Sequence, residues 1–293
     1  MQFIEKAKKS LGQNFLIDKN IINKIVEIGK INKNKNILEI GPGYGSLTNE
    51  IISKNPKKFF AIEKDKKISV YLKKKFKDFK NFEIINSDFL NVIEKRNFGD
   101  DVTIFGNLPY NVSTRILASL ITLQKWPPWY KTLILMFQKE VADRILAKTQ
   151  TKDFGRLAVL TNWRLEVKKH FNISKNCFFP KPKVSSTLLS FTPKKNNQFN
   201  LKNPKILEEV TRVLFSNRRK MINKNFNKLF KNKYFIQDKL NIKNLEKITN
   251  IFFSNRRKMI NKPFSKIFRD HITVAKKLKI DLSIRPSELS CRD

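Results

Sequence analysis

Glycine is scarce in this chain of 293 residues: there are eight, and none follows Gly155. Cysteine and histidine are scarcer still, at two each. Cys177 and Cys291 lie far apart, so they make neither the close pair of a zinc site nor a disulfide framework. His170 and His271 have no cysteine or carboxylate pattern around them, so no metal site is expected. This cysteine usage fits a reducing cytoplasm. No stretch approaches the roughly 18 consecutive apolar residues of a membrane span. The first residues, Met1-Gln2-Phe3-Ile4-Glu5-Lys6, lack the apolar core of a secretory signal. Acids are few as well: 25 Asp and Glu face 61 Lys and Arg, a formal net charge of +36.

Lysine outnumbers arginine 48 to 13, and Asn, Ile and Phe are abundant, which is the composition of AT-rich coding. Codon bias does not remove the self-repulsion of +36, which calls for an anionic partner. A polyanion is expected, nucleic acid before an anionic membrane. The length allows one large domain or two, and 40% hydrophobic residues suffice for a core.

Three of the glycines, Gly41, Gly43 and Gly45, fall within five residues. They follow Ile37-Leu38-Glu39-Ile40, which reads as a buried strand, and precede a helix start at Ser46-Leu47-Thr48. Strand, glycine loop and helix is the layout of a nucleotide-type cofactor site. Ser46 stands where a dinucleotide fingerprint has its third glycine, which argues against NAD or FAD. A tight turn with no ligand is the plain alternative. Further strands are expected at Lys58-Phe59-Phe60-Ala61-Ile62, ending in Glu63, and at Phe82-Glu83-Ile84-Ile85, followed by Asp88. Glu63 lies where such folds place a carboxylate on ribose hydroxyls, and Asp88 could accept from an adenine amine. Taken singly, either acid could be a solvated surface group.

A fourth expected strand, Val102-Thr103-Ile104-Phe105, delivers Asn107-Leu108-Pro109-Tyr110. The Asn107 side-chain carbonyl and the Leu108 backbone carbonyl are two acceptors, as an exocyclic amine requires. Pro109 fixes φ and lacks an N–H, so the turn is stiff. Tyr110 offers a ring on which a base can stack. Two acceptors and a π-face suit the N6 amine of adenine.

Further runs carry a resemblance. They are Lys9-Ser10-Leu11-Gly12-Gln13-Asn14-Phe15-Leu16, Glu39-Ile40-Gly41-Pro42-Gly43-Tyr44-Gly45-Ser46-Leu47-Thr48, Gly106-Asn107-Leu108-Pro109-Tyr110-Asn111, Gln138-Lys139-Glu140-Val141-Ala142 and Gly155-Arg156-Leu157. Phe178-Phe179-Pro180-Lys181-Pro182-Lys183-Val184-Ser185-Ser186, Phe215-Ser216-Asn217-Arg218-Arg219-Lys220 and Arg285-Pro286-Ser287-Glu288-Leu289-Ser290 complete the set. Together they resemble the small-subunit rRNA adenine N6,N6-dimethyltransferase family, whose members use S-adenosylmethionine. The resemblance implies an α/β fold: a Rossmann-like methyltransferase domain with a seven-stranded, mostly parallel sheet, and a smaller all-α C-terminal domain. It implies cofactor contacts from Asn14, Leu16, Gly41, Gly43, Glu63, Asp88 and Asn107. It implies catalytic roles for Asn107, Leu108, Pro109 and Tyr110, and stacking by Phe178, for which core packing is the alternative. The implied activity is dimethylation of two adjacent adenines in the 3′-terminal hairpin of 16S rRNA, with a part in small-subunit biogenesis. The implied partner is rRNA in a pre-assembled small subunit, met by a monomer without metal.

Rivals share parts of this pattern. A large-subunit rRNA adenine dimethyltransferase of the macrolide-resistance kind has the same fold and chemistry. Gly41-Pro42-Gly43, Asn107-Leu108-Pro109-Tyr110-Asn111 and the Arg-Arg-Lys helix lean toward the small-subunit family, whereas Lys181-Pro182-Lys183 does not discriminate. A DNA adenine methyltransferase disagrees with Gln13-Asn14-Phe15-Leu16. A ribosome-assembly factor without catalysis has no need of Glu63, Asp88 and Asn107.

The methyltransferase domain is expected over residues 1–192. The polar run Thr192-Pro193-Lys194-Lys195-Asn196-Asn197-Gln198 reads as a linker. Residues 193–293 read as a basic helical domain, with a helix start at Asn203-Pro204 and apolar Ile206, Leu207, Val210, Val213 and Leu214 at helical spacing. This part carries +18, as much as the preceding 192 residues, so RNA binding is expected here. It contains a repeat: 206–230 and 244–268 align without gaps, with 16 identities in 25 positions. The RNA-binding candidates are Arg218, Arg219 and Lys220 with their copies Arg256, Arg257 and Lys258. The family pattern carries this run once and continues into a final helix, so here that helix is either missing or replaced by the repeat. Two phosphate-gripping helices are one reading; a tandem duplication with one tolerated copy is the favoured one. Replacing Arg218-Arg219 and Arg256-Arg257 separately by alanine is therefore expected to lower RNA affinity from one site only. Equal losses from both would mean two working copies.

Overall fold

Ile37, Leu38, Ile104 and Phe105 are fully buried because the strands that carry them run through the middle of a sheet. The structure is a computed structural model that describes residues 13–149, 151–195, 201, 203–215 and 273, with backbone alone at 110, 111, 213 and 214. Packing divides the chain into two compact units, Met1–Ala142 with Arg164–Lys195, and Asp143–Trp163 with Asn196–Asp293.

The first unit is built around β2 (Asn36–Ile40), β3 (Lys58–Glu63), β4 (Phe82–Asn86), β5 (Val102–Gly106) and β6 (Tyr130–Gln138), all parallel. A hairpin-like return adds β7 (Leu165–Ile173) and β9 (Ser186–Pro193), with β9 antiparallel to both β6 and β7. The seven strands run in the order β4-β3-β2-β5-β6-β9-β7. This is the mostly parallel sheet expected, and the first four predicted strands match to within a residue at each end. Val102–Gly106, buried at every position and mostly apolar, is what a strand covered on both faces requires. A separate two-stranded ribbon pairs β1 (Phe15–Leu16) with β8 (Phe178–Phe179).

Helices α1 (Lys19–Ile28), α2 (Ser46–Ser53), α3 (Lys66–Lys75), α4 (Phe89–Val92) and α5 (Tyr110–Ile121) link these strands. Three of them begin at an aspartate whose carboxylate accepts from a first-turn N–H: Asp18 for α1, Asp65 for α3 and Asp88 for α4. The strand order reverses at β2, whose neighbours are β3 and β5.

Thr192 and Pro193, expected in a linker, instead complete β9 opposite Glu166 and Leu165. The ladder is extended because the Lys194 N–H donates to the Arg164 carbonyl at 2.8 Å, and the Trp126 indole N–H donates to the Lys194 carbonyl at 3.2 Å. Proline is tolerated at the strand end, where no ladder donor is needed.

Between the sheet strands lie α6 (Lys139–Leu146) and α7 (Arg156–Arg164). In the second unit, α8 (Pro204–Phe215) starts with proline at its first position, as expected. The Asn203 side chain caps it by accepting from the Lys205 N–H at 3.1 Å. Leu207 and Val210 are buried, and Arg156 forms an ion pair with Glu208. The first copy of the repeat is described only as far as Phe215. Arg218, Arg219, Lys220, Arg256, Arg257 and Lys258 lie outside the described residues, as does the run 285–290.

Candidate functional site

Register brings the polar strand ends together. Ile40, the last residue of β2, is opposite Ile62 of β3 on one side and Gly106 of β5 on the other. The residues that follow at this level are Gly41, Glu63 and Asn107. Glu63 is in turn opposite Asn86, two residues before Asp88. The site therefore opens at the carboxyl ends of parallel strands, where the strand order reverses.

Gly41, Gly43 and Gly45 all have positive φ, at 68°, 55° and 83°. Such backbone is strained for any residue with a Cβ. At Gly43 space forbids one too: a Cβ would lie 2.7 Å from the Phe15 ring. The Gly43 N–H donates to Glu63 Oε2 at 3.2 Å, and the Asp65 N–H donates to Glu63 Oε1 at 2.8 Å. Glu63 thus ties the glycine loop to the end of β3.

A cavity of about 250 Å³ lies over these strand ends. Gly41 and Gly43 line it from the loop, Glu63, Asp88 and Asn107 from the strand ends, Leu108 and Pro109 from the turn, and Asn14 and Leu16 from the segment of β1. The Asn107 amide nitrogen donates to the Asn14 carbonyl at 2.9 Å. A carbonyl can only accept, so the amide nitrogen must face it, and Oδ1 is the acceptor that Asn107 presents. Pro109, with φ −55° and ψ 135°, is the residue at which α5 begins, and it holds the turn extended before the helix.

Two candidates stand apart from this group. Tyr110 opens α5, and its backbone alone is described. Phe178 is 3% exposed and belongs to the apolar cluster that includes Leu16, Ile173 and Leu188. It does not line the cavity, and core packing, the alternative weighed for it, describes it as it stands. Its neighbour Phe179 is 44% exposed.

The acids differ in their surroundings. Burial raises the Glu63 carboxyl, against the opposing pull of the Asp65 and Gly43 N–H groups. Burial acts upward on Asp88 as well, but the Lys64 ammonium and the Leu90 N–H outweigh it and hold this carboxyl below its ordinary value. Both Asp88 oxygens are engaged: Oδ1 caps α4 and Oδ2 takes Lys64 at 3.0 Å. Any amine reaching Asp88 must share it with this lysine. Glu39 has no expectation attached to it, yet it also lines the cavity. It is 1% exposed and accepts from the Thr48 hydroxyl at 2.7 Å. Burial pushes its carboxyl up to about 8, with Thr48 opposing and Glu63 adding.

Phe15, Tyr44 and Lys64 also line the cavity unannounced. Phe15 meets Tyr44 edge-on at 4.9 Å between centroids, which closes the loop side. The signal for Glu39 was an acid inside an otherwise apolar strand. Phe15 had only its place beside Asn14. Among the described residues no group of three or more His, Cys, Asp or Glu could hold a metal ion, and no helix is long and apolar enough to cross a membrane.

Residues 4–237 match the model of a family described as ribosomal RNA adenine dimethylase. A protein of Pelagibacter ubique named ribosomal RNA small subunit methyltransferase A is 49% identical over 81% of this chain and 89% of its own. The crystal structure of a dimethyladenosine transferase from Plasmodium falciparum superposes with a TM-score of 0.67 at 25% identity, covering 95% of this chain and 94% of that one. A 23S rRNA methyltransferase, ErmE, shares the fold, with a TM-score of 0.55 at 24% identity over 73% of this chain and 84% of its own.

The Glu39 environment has a measurable effect. A carboxyl whose pKa is higher folded than unfolded takes up a proton on folding between the two values. Its contribution to stability therefore falls as pH rises from 4.5 to about 8. Glu39→Gln keeps an acceptor for Thr48 and removes the titration. The thermal midpoint of the variant is expected to gain on the wild type steadily across that window. Parallel pH profiles for the two proteins would contradict the assignment.

Proposed function

The chain belongs to the ribosomal RNA adenine dimethylase family, and we propose that it dimethylates N6 of two adjacent adenines in the 3′-terminal hairpin of small-subunit (16S) rRNA, using S-adenosylmethionine. The observation that carries this reading is the Asn107 amide, held by the Asn14 carbonyl so that Oδ1 serves as acceptor beside the cavity. The name of the Pelagibacter relative supports the small subunit over the large one. The substrate is rRNA within a pre-assembled small subunit, met by a monomer in the cytoplasm, and the reaction serves subunit biogenesis.

The residues present fit the cofactor. At Gly41 a Cβ would meet only the Asn107 carbonyl oxygen, at 4.0 Å, so the backbone there is open to close approach by a ligand. Glu63 is the acceptor for ribose hydroxyls and Asp88 for an adenine amine, while Asn14, Leu16 and Gly43 complete the walls. When bound, S-adenosylmethionine supplies a methyl group on a positively charged sulfur that leaves as a neutral thioether.

The amine of adenine is conjugated with its ring, so its lone pair is a poor nucleophile. Asn107 Oδ1 and the Leu108 carbonyl accept its two hydrogens and favour a pyramidal nitrogen with the lone pair directed outward. Pro109 keeps the two acceptors in fixed relation. Positioning and charge stabilisation then supply most of the rate. The base must leave its stack to enter, and Tyr110 offers the face that receives it. The methylated nitrogen is briefly cationic and acidic, and it releases one proton to solvent without a strong base. The amine then has one hydrogen left, so one acceptor must tolerate a methyl group in place of a hydrogen.

Asn107→Ala is expected to lower methyl transfer by about 100-fold or more while RNA binding survives. Near-normal turnover on unmethylated small subunits would refute the catalytic role. Glu63→Ala is expected to weaken cofactor binding measured by calorimetry, and an unchanged dissociation constant would count against the ribose assignment. Incubating unmethylated small subunits and, separately, unmethylated large subunits with labelled cofactor, then mapping the modified nucleotides, tests the activity itself. Label on large-subunit rRNA, or none, would overturn the reading.

A further inference from the structure

The β1–β8 ribbon sorts its side chains onto two faces. In an antiparallel pair, directly opposed residues share a face and successive residues alternate. Phe15 is opposite Phe179, and Leu16 is opposite Phe178. Leu16 and Phe178 are both buried in the same apolar cluster. Phe15 alternates to the other face, over Gly43 and against Tyr44; it too is buried and belongs to that cluster, and both it and Leu16 line the cavity. Phe179 shares the face of Phe15. The Ile17 N–H donates to the Cys177 carbonyl at 2.9 Å, which extends the ladder by one step and puts Ile17 on this face too.

Phe179 and Ile17 are 44% and 46% exposed. Nothing in the packing of β8 calls for a second aromatic, since Phe178 already anchors the strand. The exposed residues that flank it on the chain are Ser174, Lys175, Asn176, Lys181, Lys183 and Val184, three of them lysines. An exposed ring among ammonium groups is the pattern of single-stranded nucleic acid binding, with a π-face for a base and cations for phosphates. It is a poor match to a protein partner in a chain of net charge +36.

The ribbon is also within reach of the reacting centre. Asn107 is bonded to the Asn14 carbonyl, and Asn14 precedes Phe15. One residue step of about 3.8 Å and one ladder step of about 5 Å then lead to the Phe179 backbone. A nucleotide next to one held at Asn107 covers such a distance.

Building on the adenine-methylating reading, we propose that Phe179 stacks on the nucleotide adjacent to the target adenine. Lys181 and Lys183 bind the flanking phosphates. Phe179 is then a positioning residue that keeps the strand splayed while the target base enters the cavity. The core-facing Phe178 holds the ribbon in place.

Phe179→Leu keeps apolar bulk but lacks a π-face, and Phe179→Trp enlarges it. Affinity for unmethylated small subunits and kcat/KM for methyl transfer are measured for both, with cofactor affinity by calorimetry and the thermal midpoint. Phe179→Leu is expected to weaken subunit binding by about tenfold, mainly through KM, with cofactor affinity and midpoint unchanged. Phe179→Trp is expected to match or exceed wild type. Wild-type binding and turnover by Phe179→Leu would overturn the stacking role, as would a loss that tracks cofactor affinity and the midpoint. Absence of methyl transfer to small-subunit rRNA by the wild type would instead overturn the proposed function, and the stacking role with it.

Discussion

Parallel pairing of β2 with β3 on one side and β5 on the other is the constraint from which the site follows. Because all three strands run the same way and end at one level, three chain segments turn out of the sheet side by side. The glycine loop, Glu63 and Asn107 are neighbours for that reason alone. A slip of one residue in either pairing would turn Glu63 or Asn107 to the other face. The fully buried Ile37, Leu38, Ile104 and Phe105 make such a slip costly. The apolar core thus fixes the positions of polar groups it does not touch.

Much of this was legible in the chain because the signals were local. Mostly apolar runs of four or five residues marked the central strands, and three glycines in five residues marked backbone that needs positive φ. Pro204 marked the start of a helix, and Pro109 a stiff turn. What was hidden depends on contacts distant in sequence. Which of Phe178 and Phe179 faces the core is decided by pairing with β1, more than 160 residues earlier. The extension of β9 through Thr192 and Pro193 is decided by Arg164 and Trp126, not by the polar composition of the run. Glu39 could be seen as an acid in a strand, but not as one buried beside a second acid.

The cavity combines two kinds of order. Glu63 and Asn107 are each fixed by backbone groups from another segment, so their geometry is set before any ligand arrives. Asp88 is held partly by a lysine side chain that is itself largely exposed. One end of the site is therefore rigid and the other adjustable. This suits a reaction in which the transfer centre must be exact to within a fraction of an ångström while the distant end of the cofactor need only be retained.

Glu63 carries a further consequence for reading such chains. Each of its oxygens accepts from a backbone N–H, one in the glycine loop and one at the start of α3. A glutamine could satisfy only one of them and would turn its own N–H₂ against the other donor. An aspartate is a methylene shorter and would not span both. The loop therefore demands this residue for its own folding, whatever the cavity binds. Its presence therefore speaks for the architecture as well as for the proposed ribose contact.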